Sequence, residues 1–158
     1  MNADQNNLTQ LIAEIPFFRD LAPPQVKQIL PLFRRIQVQA GQVLFEEGAE
    51  SQEMYLLLSG RLSVKTRRVD LGEILAVGVV GEMGVITGQP RSATVVASED
   101  SRLFAIRKIG LDILLSKNTD IGMQVYRNLS RILCDRLAAN NIRLEDYAHP
   151  QDEAPDEV

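Results

Sequence analysis

An acid and a base stand nine positions apart within an apolar segment, VVGEMGVITGQPRSATVVA, that runs from Val79 to Ala97. Burying a charged side chain costs free energy unless the charge is paired, so a hydrophobic core gains nothing from Glu82 and Arg91. A ligand that carries both an anion and a hydroxyl group would use both side chains. This segment is therefore a candidate binding site.

The residues beside the two charges extend this chemistry. The run EMGVI, which begins at Glu82, follows an apolar strand pattern and is long enough for one helical turn. The first N–H groups of such a turn have no earlier carbonyl to bind and attract an anion. Arg91 and Ser92 can offer phosphate oxygens a planar two-pronged donor and a hydroxyl donor. Because Glu82 then requires a neutral donor on the same ligand, such as a ribose hydroxyl, the pattern predicts a site for a sugar and a phosphate, with an apolar surface nearby for a base.

Each of these features has a simpler reading when it is taken alone. A single Glu or Arg beside a strand is most often a solvated surface charge, and the glycines can be ordinary turn residues. His149 is the only histidine, so a metal centre of the cupin type lacks its ligands. Cys134 lies in a helical pattern and is expected to be a packed structural thiol. Since no Ser, Cys or His dyad is available for nucleophilic catalysis, the sequence predicts a protein that is not an enzyme.

Composition indicates a soluble globular protein. The 158 residues, 45% of them hydrophobic, suit one compact domain with or without a helical extension. The formal net charge of −4 argues against non-specific binding to nucleic acid, which depends on basic surface. The single cysteine excludes an intramolecular disulfide and indicates a reducing, cytoplasmic setting. The N-terminus has no signal-peptide pattern, and no apolar run approaches the roughly 20 residues of a membrane span, so no membrane insertion is expected.

The hydrophobic pattern changes its period twice along the chain. Apolar residues fall three and four positions apart in residues 8–35, which predicts two or three short helices that prolines interrupt. Residues 36–109 contain short alternating runs separated by glycine, which predict an antiparallel sandwich or barrel. Helical spacing returns in residues 111–147. Residues 148–158 carry four acids and no base, and are predicted to be a disordered tail.

The C-terminal helix is predicted to be long and amphipathic, from Asp120 to Asp146. One apolar stripe follows it at helical spacing, formed by Ile121, Val125, Leu129, Ile132, Leu133 and Leu137. One small barrel is expected to cover only part of this stripe. The remainder predicts a homodimer in which the helix pairs with a second copy of the chain.

The segment GEMGVITGQPRSATVVA closely resembles the phosphate-binding cassette of the cyclic nucleotide-binding domain family. That cassette reads roughly as Gly-Glu, a hydrophobic, a small and a hydrophobic residue, a short loop, and then Arg, a small residue, Ala, Thr or Trp, and Val. The resemblance covers nearly the whole chain, because GQVLFEEGAESQEMYLLLSGRLSV is similar to the family's strand–turn run, and LFAIRKIGLDILL to its last strand and hinge helix. It implies an α+β fold over residues 1–147: a jelly-roll-like antiparallel β-roll of about eight strands, with N-terminal helices and C-terminal hinge and lid helices.

The resemblance also implies a role for each residue of the cassette. Glu82 is expected to accept a hydrogen bond from the ribose 2′-hydroxyl, and Arg91 to pair with the cyclic phosphate. The remaining phosphate contacts come from two backbone N–H groups and one hydroxyl, those of Met83, Gly84 and Ser92. Gly81 allows a tight turn into the cassette. Threonine at the position of Ser92 tends to accompany cGMP use in this family, so the resemblance favours cAMP over cGMP.

For the base, the resemblance implies an apolar wall under a lid formed by the C-terminal helix. The residues of that wall are expected to be Leu62, Val64, Ile74 and Val80, the last at a place where family members often have an aromatic residue. Asn140 and Asn141 fall where catabolite-activator-like members place polar groups on the base. Arg131 or Leu133 is the alternative cap, if the helix folds over as in channel- and kinase-type members.

The sequence thus predicts a regulatory sensor in signal transduction, which binds a cyclic nucleotide and relays its occupancy to an unidentified effector protein through movement of the C-terminal helices. No cofactor is expected beyond this ligand. The alternative is a structural or dimerisation module of a larger signalling, channel or transport complex, with a relic nucleotide site. Retention of both Glu82 and Arg91 argues against a relic, because an idle site has no physical need for the pair. DNA binding is not expected, since an acidic tail follows the long helix in place of a helix-turn-helix module.

Overall fold

The computed structural model describes residues 10–148, with side chains as far as residue 144. Two predictions lie outside the described residues: the start of the N-terminal helices at Leu8, and the acidic tail that contains His149. Within the described range, no helix is both long and apolar enough to cross a membrane.

Prolines divide the N-terminal region into short helical pieces, as the pattern predicts. Residues 10–14 form α1, a 3₁₀ turn follows at Pro16–Phe18, α2 spans Pro23–Ile29, and a second 3₁₀ turn spans Leu30–Leu32. Each of the last three elements has a proline in its first turn, where the missing N–H is not needed for an intrahelical bond. The prolines therefore set where each piece begins.

Eight strands form the two sheets of a β-roll. They are β1 (Phe33–Val38), β2 (Val43–Phe45), β3 (Glu53–Ser59), β4 (Arg61–Lys65), β5 (Asp70–Leu75), β6 (Val79–Val80), β7 (Thr94–Ala97) and β8 (Ser101–Arg107). One sheet has the order β1-β8-β3-β6 and the other the order β2-β7-β4-β5, and every strand pair is antiparallel. The α+β class and the antiparallel β-roll predicted from the sequence are confirmed.

Both boundaries predicted for the β-roll, 36 and 109, differ from those in the structure. The first strand begins at Phe33, because its backbone pairs with the last strand from that residue onward. The last strand ends at Arg107, and the helix α4 (Lys108–Lys117) follows directly, ahead of the predicted start at Leu111. The first turn of α4 ends in a glycine, which is a weak helix former. The apolar helical spacing in the sequence therefore becomes visible only one turn after the helix begins.

Alternate side chains of the central strands belong to two separate cores. In β3, Tyr55 and Leu57 face the interior of the roll, whereas Met54 and Leu56 pack outward against the helices. Because both of its faces are buried, β3 has an uninterrupted apolar run rather than an alternating one. The outer core attaches the N-terminal turns and the C-terminal helices to the roll.

The last helix, α5 (Thr119–Ala148), extends from the outer core to the open side of the roll. Its first half is anchored by buried apolar residues, which are Ile121, Val125 and Leu129. The buried Asn128 side chain adds two hydrogen bonds, donated to the carbonyl oxygens of Phe17 at 2.9 Å and Arg19 at 2.7 Å. Leu137 is 62% exposed, so the outer core covers the predicted apolar stripe only as far as Ile132. Cys134 is exposed as well, so the prediction of a packed thiol is wrong. The second half of α5 depends on other contacts with the roll.

Candidate functional site

A cavity of about 460 Å³ lies between the roll and the second half of α5. Strands β4 and β5 supply one wall, and α5 supplies the opposite wall. The helix α3 (Glu82–Thr87) and the loop from α3 to β7 form the end of the cavity between them. This volume is within the range of small-molecule sites, about 300–1,000 Å³.

Glycines determine the path of the chain at both ends of α3. Gly81 precedes the helix with a φ of 81°, and Gly88 follows it with a φ of 71°, in the left-handed region that residues with a Cβ rarely adopt. Space is restricted as well, because a Cβ on Gly81 would lie 2.6 Å from Arg91 Nη1. The glycine at 81 therefore allows Glu82 and Arg91 to approach one another from different segments.

Glu82 is the first residue of α3, and only 1% of its surface is exposed. Its Oε1 accepts a hydrogen bond from the Arg136 guanidinium of α5, which also donates to the carbonyl oxygen of Val79. Burial raises the pKa of the Glu82 carboxyl above its ordinary value, and the Arg136 and Arg91 guanidinium groups oppose that shift. An ion pair at the edge of the cavity thus connects the lid helix to the cassette.

Arg91 is 6% exposed and is held on several sides. Its Nη2 donates to the carbonyl oxygen of Glu53 at 2.6 Å, and its Nη1 to that of Gly81 at 3.3 Å. The guanidinium lies over the Phe45 ring, 4.0 Å from the ring centroid, which adds a cation–π contact. The side chain is therefore fixed in place before any ligand arrives, so little conformational entropy remains to be lost on binding.

Two buried side-chain atoms at the cavity, Arg91 Nε and Ser51 Oγ, have no hydrogen-bond partner among the described residues. Across the residues with described side chains, no other buried side-chain nitrogen or oxygen shares this condition. Buried polar groups in proteins are nearly always paired, so an unpaired one requires a physical reason. Both atoms lie in residues that line one cavity, so a ligand bound there would lie close to both.

The cavity therefore presents the buried carboxylate of Glu82, the fixed guanidinium of Arg91, hydroxyl groups and an apolar wall. An anion and a hydroxyl on one ligand would match the guanidinium and the carboxylate. The described part of the chain holds no group of three or more His, Cys, Asp or Glu side chains that could bind a metal ion.

Most of the residues predicted for the site are brought together at this cavity. Those that line it are Val64, Ile74, Val80, Gly81, Glu82, Met83, Gly84, Arg91, Ser92 and Asn140. Of the two alternative caps, Leu133 also lines the cavity. Arg131 instead pairs with Asp20 at 3.3 Å, on the N-terminal side of α5. These positions show which residues line the cavity, and the role of each residue in binding stays a prediction.

Two predicted residues, Leu62 and Asn141, do not line the cavity. Leu62 lies on the same face of β4 as Val64, but its side chain is fully buried in the inner core. Asn141 follows Asn140 on α5, and successive helical residues are about 100° apart around the axis, so its exposed side chain faces elsewhere. The predicted contacts of Leu62 and Asn141 with the base therefore stay predictions, and neither residue lines the cavity in this structure.

The sequence reasoning missed several residues that line the cavity. On α5 these are Arg136, Leu137, Ala139 and Arg143, and on the roll they include Phe45, Ser51 and Leu71. Helical spacing from Leu133 and Asn140 would have indicated Arg136 and Arg143, because residues 133, 136, 140 and 143 share one face of a helix. No local pattern indicates Phe45 or Ser51, which reach the site through contacts between distant segments.

Comparisons with known proteins agree with this geometry. Residues 35–118 match the family model of the cyclic nucleotide-binding domain. A cyclic nucleotide-gated potassium channel of Rhizobium etli is 34% identical over 120 residues, which are 75% of this chain and 33% of the channel. The cyclic AMP receptor protein of Thermus thermophilus is 31% identical over 137 residues, which are 82% of this chain and 61% of that protein. A cyclic nucleotide-binding domain structure from Methylobacillus flagellatus superposes with a TM-score of 0.82, at 23% identity, over 90% of this chain and 85% of that one.

Proposed function

This chain belongs to the cyclic nucleotide-binding domain family, and we propose that it binds a cyclic nucleotide, cAMP in preference to cGMP, as a regulatory sensor. The observation that carries the proposal is the pair of buried charges at one cavity, Glu82 on α3 and Arg91 on the following loop. The chain spans 33% of the length of the channel relative. This likeness therefore does not identify an effector.

In this proposal Arg91 binds the cyclic phosphate through the donors that its two carbonyl partners leave free. Nε has no partner within the described part of the chain, and each Nη atom carries a second N–H group. Glu82 accepts the ribose 2′-hydroxyl. Arg136 donates its hydrogen bond to Oε1 of that carboxylate, and the proposal assigns Oε2 to the sugar. Ligand and lid helix can therefore share Glu82.

The base is proposed to lie against Val64 and Ile74 of the roll, under Leu133 and Asn140 of α5. An apolar wall with a few polar groups is the usual composition of such a pocket. Two observations support the preference for cAMP: Ser92 follows the arginine of the cassette, and a relative of this chain is a cyclic AMP receptor protein.

We further propose that α5 relays occupancy of the site. Its first half is fixed to the N-terminal turns, whereas its second half is tied to the roll by two arginines. Arg136 binds Glu82 and the carbonyl oxygen of Val79, and Arg143 donates to the carbonyl oxygen of Leu71 at 3.0 Å. A ligand that contacts Glu82 and the inner face of α5 changes the relative stability of the closed and open positions of the helix.

Replacing Arg136 with methionine is expected to release the second half of α5 in the free protein. The substitution keeps an unbranched apolar stem but removes the guanidinium and its bonds to Glu82 and to the backbone of the roll. Amide hydrogen exchange in residues 132–144 should become about ten-fold faster, since these bonds oppose local opening. The protection that cAMP adds to the same residues should shrink in parallel.

Arg131→Met is the matched control, because Arg131 lies on the same helix but pairs with Asp20 on the protein surface. Exchange in residues 132–144 of this variant should equal that of the wild type. Equal exchange rates in both variants and the wild type would contradict the proposed relay through Arg136.

Isothermal titration of the protein with cAMP, cGMP and 5′-AMP tests the proposed function. We expect saturable binding of cAMP at about one molecule per chain, weaker binding of cGMP, and little binding of the linear nucleotide. The linear phosphate carries more charge and lacks the ring that holds it beside the ribose 2′-hydroxyl. Absence of binding heat with both cyclic nucleotides at high protein concentration would overturn the proposal.

Dimerisation is a second candidate function, favoured by one observation on α5. Several of its large apolar side chains are exposed: Met123, Tyr126, Leu137, Ile142 and Leu144. Exposed apolar stripes on a helix are a common dimer interface. Light scattering with and without cAMP separates the two candidates, since a purely structural module would form the dimer regardless of ligand.

A further inference from the structure

The loop between β2 and β3 is hydrogen-bonded to the backbone of Arg91. Gly48 N donates to the carbonyl oxygen of Arg91 at 2.8 Å, and Arg91 N donates to that of Ala49 at 2.8 Å. Two residues further along, Ser51 enters the site. The loop therefore fixes the position of Ser51 relative to the phosphate-binding arginine.

Ser51 is 7% exposed, and its hydroxyl lies directly against α3. A Cβ added to Gly84 would lie 2.0 Å from Ser51 Oγ and 2.1 Å from Ser51 Cβ, so only glycine at 84 leaves room for this serine. Ser51 lines the same cavity as Arg91 and Ser92. Its Oγ has no hydrogen-bond partner among the residues that the structure describes, although a hydroxyl can donate one bond and accept two.

A structural role does not account for this hydroxyl, as comparison with a second buried serine shows. Ser101 is 2% exposed, accepts a hydrogen bond from Arg61 N at 3.1 Å, and donates to the carbonyl oxygen of Glu99 at 2.8 Å. The hydroxyl of Ser101 thus joins two segments. The hydroxyl of Ser51 joins none, and an alanine would fill the space beside Gly84 without leaving a buried polar group unpaired.

We propose that Ser51 is a further phosphate-binding residue, whose hydroxyl donates a hydrogen bond to an oxygen of the cyclic phosphate at the position between Gly84 and Arg91. The inference rests on the proposed function and adds to the cassette a donor from a different loop. Together with Arg91 Nε, this hydroxyl is unpaired in the free protein and paired in the complex. The unpaired hydroxyl of Ser51 destabilises the ligand-free protein relative to the complex, and this difference strengthens ligand binding.

Ser51→Ala is expected to change binding and stability in opposite directions. Affinity for cAMP, measured by calorimetry on the full chain, should fall about ten-fold, because one hydrogen bond to a charged group is lost. The melting temperature of the ligand-free variant should be equal to or above that of the wild type, because a buried unpaired hydroxyl is removed. A serine with a merely structural role would not produce this combination.

Ser101→Ala is the matched control and should show the reverse pattern. Its ligand-free melting temperature should fall, because Arg61 N and the Glu99 carbonyl lose their partner, whereas its affinity for cAMP should equal that of the wild type. The inference alone is overturned if the wild type binds cAMP and Ser51→Ala binds it equally well, or if Ser51→Ala melts lower than the wild type. Failure of the wild type to bind either cyclic nucleotide overturns the proposed function, and this inference with it.

Discussion

Replacing Arg91 with lysine should weaken cAMP binding by about a hundred-fold, or about 3 kcal/mol. Lysine keeps the positive charge but has no planar fork. Arg91 uses that fork to bind the carbonyl oxygens of Glu53 and Gly81 while it leaves other donors for the phosphate. A lysine ammonium cannot make both sets of bonds at once, so either the support or the phosphate contact is lost.

Calorimetric titration measures this loss, with Arg102→Lys as the control. Arg102 lies on the exposed side of β8, where its Nε donates to Ser59 Oγ at 2.9 Å, and its replacement should leave the affinity unchanged. The ligand-free melting temperature of Arg91→Lys should fall slightly, because buried carbonyl groups lose a donor. An Arg91→Lys variant that binds cAMP as tightly as the wild type would mean that this side chain does not bind the phosphate.

Replacing Glu82 with glutamine should weaken cAMP binding by about thirty-fold at neutral pH, since a charge-assisted hydrogen bond to the ribose becomes a neutral one. Arg136 loses its counter-charge in the same variant, so the second half of α5 should also exchange faster. A titration with 2′-deoxy-cAMP supplies the internal check. This analogue lacks the hydroxyl that Glu82 accepts, and the two proteins should bind it with nearly equal affinity.

Acidification should weaken cAMP binding to the wild type before it unfolds the chain. Burial raises the pKa of Glu82 above its ordinary value of 4.5, so the carboxylate is protonated as the pH falls through that raised pKa. The folded chain holds this proton more tightly than the unfolded chain. The contribution of Glu82 to the free energy of unfolding is therefore fully present below pH 4.5 and lost as the pH rises through the raised pKa. Affinity and stability thus change in opposite directions with pH in this window.

The Glu82→Gln variant should lose this pH dependence of affinity, because glutamine does not titrate. Glu73→Gln is the control, since Glu73 also lines the cavity but pairs with Arg61 on the surface at 3.4 Å. Its affinity for cAMP should follow the pH profile of the wild type. A Glu82→Gln variant with an unaltered profile would contradict the role of this carboxylate.

The cassette could be predicted from the sequence because its parts are contiguous. Glu82 and Arg91 are joined by one short helix and one loop, and glycines mark the turns into and out of that helix. The roll could be predicted as well, since its strands are short, apolar and separated by turns. Local patterns are sufficient wherever the functional groups lie within one or two adjacent elements.

The lid could not be predicted to the same depth, because its contacts depend on which face of α5 meets the roll. Asn140 lines the cavity and Asn141 does not, although the two residues are adjacent. The bonds of Arg136 could not be predicted, because its partners, Glu82 and Val79, lie more than fifty positions away in the chain. Hydrophobic spacing defines a helix and its apolar stripe, but it does not determine the rotation of that helix against a distant sheet.

Ser51 and Leu62 show the same limit on the roll. Ser51 reaches the site only because its loop pairs with the backbone of Arg91, a contact that no local pattern encodes. Leu62 and Val64 lie two positions apart and therefore share one face of β4, yet Leu62 is completely buried in the inner core. The depth of a side chain along a strand depends on the packing of the opposite sheet, which the sequence of one strand does not specify.

The most direct test of the central claim is a ¹H–¹⁵N spectrum of the labelled protein during titration with cAMP, with the side-chain Nε–H of Arg91 and the backbone amide of Gly84 assigned. Arg91 Nε has no hydrogen-bond partner in residues 10–144, so a bound phosphate should shift its signal strongly and saturably, to an endpoint at one ligand per chain. The Gly84 amide should move with it. A folded protein in which neither signal moves at saturating cAMP would contradict the proposal that this cavity binds a cyclic nucleotide.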